Sequence, residues 1–143
     1  MIVLRTLIAI VVGGAVGLGV TLVSVLIGAA LESTLHTTVY AWEFAPLIVG
    51  AVSIAGGAVV APLATLSGTW LRGLVIGAVA HALLFGWLLH SADPTTGPAA
   101  VILWSFATGV AAGSLAGALG GLIGQMLDTN RHVAKGDAGV TIE

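Results

Sequence analysis

The sequence predicts an all-α membrane protein: four transmembrane helices, both termini cytoplasmic (N-in/C-in), packed as a bundle through small residues in glycine-zipper fashion. Three observations predict it. Of 143 residues, 58% are hydrophobic and only 7% charged, whereas a water-soluble domain carries roughly a quarter charged residues to keep its surface solvated. The mean hydropathy is +1.15. The apolar residues fall in long unbroken runs, and most of the 21 glycines lie inside those runs, many at four-residue spacing.

The same arithmetic excludes several function classes. Four Lys+Arg against six Asp+Glu leave no basic face for a nucleic acid. So apolar a chain does not stay disordered in water. With no cysteine, a disulfide framework, a thiolate metal site and a cysteine nucleophile are all unavailable.

The apolar runs are four: residues 7–31, 44–66, 70–90 and 98–127. A helix needs about 20 apolar residues to cross the hydrocarbon, and each run reaches that length. Backbone groups in lipid must be satisfied within the segment, so each run is expected to be helical. The first run competes with a cleaved signal peptide, since Arg5 precedes it and Gly28-Ala29-Ala30 resembles a cleavage site. A signal peptide's apolar region is only about 7–15 residues long, however, and the length here favours an uncleaved span. Pro62 predicts a local kink near the inner end of the second span, and Pro98 suits the first turn of the fourth. Leu31, Leu35 and Val39 share a helical spacing, so part of the first outer loop is expected to lie as a turn on the interface. Residues 1–127 thus form one transmembrane domain. Residues 128–143 are polar and aperiodic, and are expected to form a mobile cytoplasmic tail.

Charge sets the orientation. With the N-terminus inside, Arg5, Arg72, Arg131 and Lys135 all fall on the cytoplasmic side. The outer loops, 32–43 and 91–97, contain no Lys or Arg, as the positive-inside bias requires. Tyr40, Trp42, Trp87 and Trp104 lie toward the outer interface and Trp70 at the inner one, where amphipathic rings prefer to sit. The expected location is a cell membrane crossed several times, with the lipid bilayer as the first partner.

The strongest pattern is the stripe Gly109, Gly113, Gly117 and Gly121, which lies on one helix face. Gly73 and Gly77 form a shorter version in the third span, as do Gly13 and Gly17 in the first. Small residues let helices approach closely where lipid supplies no hydrophobic drive. Two uses are open: packing within the chain, or contact with another copy or another membrane subunit. An offset of 52 residues superposes Ser53 on Ser105 and Gly57 on Gly109, and an offset of 67 superposes Arg5 on Arg72 and Gly19 on Gly86. Two related hairpins would produce such matches, though a Gly/Ala-rich chain also produces them by chance.

His81 is the one titratable side chain deep in the apolar layer, near the middle of the third span. Intramembrane ionisable residues are costly and are functional candidates by default. Burial disfavours its charged form, and no Asp or Glu lies at its depth. The plain expectation is a neutral histidine bonded across helices to Ser53, Ser105 or Thr108. The sharper ones are a relay, or a haem ligand. A haem would need its second ligand from another subunit: His90 sits nine residues on, about 180° round the helix and roughly 13 Å away, while His36 and His132 lie in a loop and the tail. No cofactor is otherwise predicted.

The outer loops gather Glu32, His36, Glu43, His90 and Asp93, whose carboxylates and imidazoles suit a divalent cation. Their spacing is not diagnostic, and solvated acidic loops are the plainer account, so no metal site is assigned. Catalytic signatures are absent: there is no Gly-x-Ser-x-Gly, no phosphate loop and no His-Glu-x-x-His. The close glycines at 13–19 lie inside a span and are read as packing. The expected function is therefore a non-catalytic membrane subunit that packs through small-residue faces into a homo-oligomer or a larger complex. The alternative is a small oligomeric channel or transporter with His81 on a midplane path. It ranks second because conduction needs several lining donors or charges. A haem-bearing electron carrier ranks third.

Overall fold

The computed structural model describes residues 2–35, 45–91 and 99–137. They form four α-helices: α1 (Ile2–Leu35), α2 (Ala45–Ala64), α3 (Trp70–Ser91) and α4 (Ala99–Asp137), with a 3-10 turn at Thr65–Ser67. All four are long and apolar enough to cross a membrane, which makes the chain consistent with a multi-pass membrane protein. Their backbone hydrogen bonds close within each helix, as a lipid environment demands.

α1 extends the expected span at both ends and α4 at its C-terminal end, whereas α2 is slightly shorter than expected. α1 has 34 residues and α4 has 39, so at 1.5 Å per residue they reach about 50 and 58 Å, well beyond a hydrocarbon core of about 30 Å. α4 continues through Asp137, so residues 128–137 of the expected polar tail are helical. No proline interrupts 128–137, and a helix leaving the bilayer can continue without an apolar pattern. Residues 138–143, and the loop residues 36–44 carrying Val39, Tyr40 and Trp42, lie outside the described residues.

α2 runs through Pro62 and ends two residues later. Proline has no N–H for the preceding turn, and the chain leaves the α-helix here through the 3-10 turn. Thr65 Oγ1 donates to the Pro62 carbonyl at 2.7 Å and Ser67 Oγ to the Ala64 carbonyl at 2.6 Å. Gly68 follows at φ 74°, a left-handed conformation that glycine adopts without a Cβ penalty. This turn joins α2 to α3 with only Gly68 and Thr69 between the 3-10 residues and Trp70.

α2 and α4 form the centre. α1 packs on both from one side, and α3 packs on both from the other. Helices α1 and α2 form one antiparallel hairpin, and α3 and α4 a second. The buried side chains are small: Ala9, Ala61, Ala64, Ala112 and Ala116 are fully or nearly fully enclosed, with Val49, Val60, Phe85 and Val101. Large residues such as Leu7, Val11, Leu26, Leu47, Leu83, Leu103 and Leu115 point outward. An apolar exterior around a small-residue interior inverts the soluble pattern, and it suits a bundle whose solvent is lipid.

Candidate functional site

The six stripe glycines are all buried, and all face α3 or α4 of the same chain. A Cβ built on Gly77 would overlap the Gly113 carbonyl and lie 3.2 Å from the Gly117 Cα. One on Gly73 would overlap the Gly117 carbonyl and lie 3.2 Å from the Gly121 Cα. Gly121 faces the Thr69 carbonyl, and Gly109 lies under the Phe85 ring. The backbones of α3 and α4 therefore approach as only glycine permits. The first hairpin crosses in the same manner, with Gly13 against Gly57 and Gly17 against the Ser53 carbonyl. Between the hairpins, Gly120 abuts the Ala61 carbonyl, and Gly57 lies beside the Ala116 methyl. Of the two uses open to these stripes, the described geometry contains the one within the chain. Gly19 in α1 and Gly86 in α3 differ: open space surrounds the position of their missing side chains.

His81 is 1% exposed and is, with Ser53, the largest fully enclosed side chain. Its ring leaves α3 and wedges between α4 and α2. Added methyls at Gly113 and Gly56 would strike it, the latter 2.6 Å from Nε2. Two glycines on two neighbouring helices thus make the slot that holds the ring. Phe85, one turn along, lies near-parallel to it with ring centroids 6.3 Å apart. The expected bond across helices is corrected: neither ring nitrogen reaches a partner on another helix, and Ser53 Oγ is also unpartnered. Thr108 is committed elsewhere, at 2.6 Å from Ser24 Oγ and 2.9 Å from the Trp104 carbonyl. Buried polar atoms are normally satisfied, so orphaned ones call for a reason.

The slot bears on haem. Gly56 and Gly113 close on opposite sides of the imidazole at van der Waals range. A macrocycle on either nitrogen would have to separate α2 or α4 from α3.

The interior polarity is lopsided along the bundle axis. Thr21, Ser24, Ser53, Ser105 and Thr108 are buried at the level of His81 or toward the end opposite Arg5. From His81 toward Arg5 the seam runs through Gly57, Val60, Ala61, Gly73, Gly77, Ala112, Ala116, Gly117 and Gly120, all buried and all without a polar side chain, until Thr65, buried beside Arg5. A groove of about 230 Å³ opens between α1 and α4 in the hydroxyl-bearing half, lined by Val20, Val23, Ser24, Trp104, Thr108 and Ala111 among others.

At the opposite end Arg5 is only 16% exposed. It donates from Nη2 to the Thr65 carbonyl and pairs through Nη1 with Asp128 at 3.6 Å. Gly124 makes room for it, since a Cβ there would lie 3.1 Å from Nη2. This clasp ties α1, the 3-10 turn and α4 together. Nothing in the sequence pairs residues 5, 65, 124 and 128, because their distance along the chain carries no periodic signal.

Glu32 and His90 lie near the ends of α1 and α3, while His36, Glu43 and Asp93 fall outside the described residues. Among the described residues no group of three or more metal-ligating side chains occurs. Compared with protein-family models, with curated proteins and with solved structures, the chain matches none.

Proposed function

We propose that this chain is a non-catalytic integral membrane subunit, a small-residue bundle of the glycine-zipper kind that assembles with further copies or with other membrane proteins. The observation that carries the reading is the closed interior. Backbone contacts at Gly13–Gly57, Ala61–Gly120 and Gly77–Gly113 leave no conduit among the described residues of a single chain, and among them a lone imidazole with scattered hydroxyls offers no catalytic pair. Both termini are assigned to the cytoplasm of a cell membrane by the distribution of Arg and Lys. The Arg5–Asp128 pair agrees with this by setting the start of α1 and the later part of α4 at one end.

Because the stripe glycines are occupied within the chain, assembly is assigned to outward positions, with Gly19 and Gly86 the first candidates. Native mass spectrometry from mild detergent, with crosslinking in membranes, tests this. An oligomer or a copurifying partner is expected, and Gly19→Leu or Gly86→Leu should weaken it while the helical content stays intact. A chain that remains monomeric in native membranes, with no partner, refutes the proposal.

A second reading, a small oligomeric transporter, is favoured by one observation: His81 is fully enclosed yet unpartnered on other helices. Under it His81→Ala abolishes flux in proteoliposomes and leaves assembly unchanged. Under the subunit reading purified protein shows no flux.

A further inference from the structure

We propose that the half of the bundle away from Arg5 is a water-accessible polar half-path that ends at His81, and that the glycine seam closes it toward Arg5. Three independent observations converge. Of the six buried Ser and Thr hydroxyls among the described residues, five (Thr21, Ser24, Ser53, Ser105 and Thr108) lie at or beyond the His81 level on that side, and the sixth, Thr65 at the Arg5 end, is spent on the Pro62 carbonyl. The α1–α4 groove of about 230 Å³, otherwise lined by apolar side chains, reaches two of them, Ser24 and Thr108, which bond to each other. At the inner limit stand Ser53 Oγ, which has no partner, and the ring nitrogens of His81, which reach no other helix, on side chains that are 0% and 1% exposed; Arg5 Nε, at the far end, is the other unpartnered buried side-chain atom among the described residues.

The ligand this arrangement takes is water. Polar atoms buried in an apolar medium without partners are costly, and a bridging water repays most of that at small entropic cost. Intramembrane ionisable side chains commonly face a watered cavity for this reason. Toward Arg5 the same solution is blocked. The seam has no polar side chain to hold water, and its backbones touch at Gly77–Gly113, Gly73–Gly117 and Ala61–Gly120. The clasp of Arg5 on Thr65 and Asp128 closes the end of that seam. Access to His81 is therefore one-sided, a state that a transporter would need and that a packing histidine would not. The inference deepens the second reading of His81, but it concerns access alone. A flux assay can fail while the access result stands.

Thiol accessibility tests it directly, because the chain has no cysteine and every introduced thiol reports alone. Ser53→Cys, Ser105→Cys, Ala112→Cys and Ala116→Cys are reconstituted in lipid vesicles and treated with a small, charged, membrane-impermeant methanethiosulfonate. Ser53, Ala112 and Ala116 are 0% exposed and Ser105 is 6%, so burial alone predicts equally slow labelling at all four. The half-path predicts that Ser53→Cys and Ser105→Cys react at least about tenfold faster than Ala116→Cys, since charged reagents enter through water and not through hydrocarbon. It also predicts that they react only when reagent is added on the side opposite Arg5. Equal rates at the four positions, or labelling from the Arg5 side, overturn the proposal. Ser24→Cys and Thr21→Cys repeat the test on α1, and serine-to-cysteine changes are near-isosteric, so a folding defect at one position does not decide the outcome.

Discussion

Replacing Gly113 by alanine isolates the energy of the α3–α4 seam. The added methyl would overlap His81 and lie 2.5 Å from the Gly77 carbonyl oxygen. The ring is itself confined by Gly56 on α2 and the carbonyl belongs to the α3 backbone, so neither can yield without moving a helix. Forcing extra volume into a packed interior costs about 1–3 kcal/mol, and more where backbone must shift. Alanine also gains helix propensity of up to about 1 kcal/mol over glycine, which would mask part of the loss. Gly86→Ala supplies the control: it carries the same propensity gain on α3, with open space at the new methyl. The difference between the two variants is therefore the packing cost, expected at about 2–3 kcal/mol. Reversible unfolding in mixed micelles, followed by circular dichroism against the denaturing-detergent fraction, measures both. Equal stability of Gly113→Ala and Gly86→Ala would mean that the seam is not a tight backbone contact, and the account of the bundle would fail.

Three further outcomes follow from named contacts. Gly109→Ala should cost less than Gly113→Ala, because the colliding group is the Phe85 ring, which can turn; the same micelle titration ranks the two. Arg5→Met should lose about 1.5–3 kcal/mol, the range for a hydrogen bond to a charged group. Asp128→Asn should lose under about 1 kcal/mol, since Asp128 is half exposed and such pairs contribute little; comparable losses would remove the case for Arg5 as the clasp. A double-mutant cycle of Ser24→Ala and Thr108→Val should return a coupling of about 0.6 kcal/mol and at most about 1.7, the range for interhelical bonds in lipid. Zero coupling would show that the 2.6 Å contact does not hold the hairpins together.

Much of the fold was legible because crossing lipid is a demand on one segment at a time. Length and hydropathy suffice to locate α1 to α4, and the gap between the runs 44–66 and 70–90 falls where α2 gives way to α3. Helix ends were less legible: α4 passes the expected limit at Leu127 by ten residues, ending at Asp137, since a helix outside the hydrocarbon needs no apolar stripe. His81 stood out by its depth, yet its surroundings did not. The expected hydroxyl partners failed because Thr108 bonds Ser24 instead, a choice made by two helices distant in sequence.

The sequence by itself determined how many times the chain can cross a membrane, which faces are bare of side chains, and that one imidazole lies at depth. These are properties of single helices against lipid. Only the tertiary structure decided that Gly73, Gly77, Gly113 and Gly117 meet one another, that Gly56 and Gly113 hold the His81 ring, and that Arg5 reaches Thr65 and Asp128. Those are pairwise distances, and a four-residue repeat specifies a smooth face without specifying what lies against it.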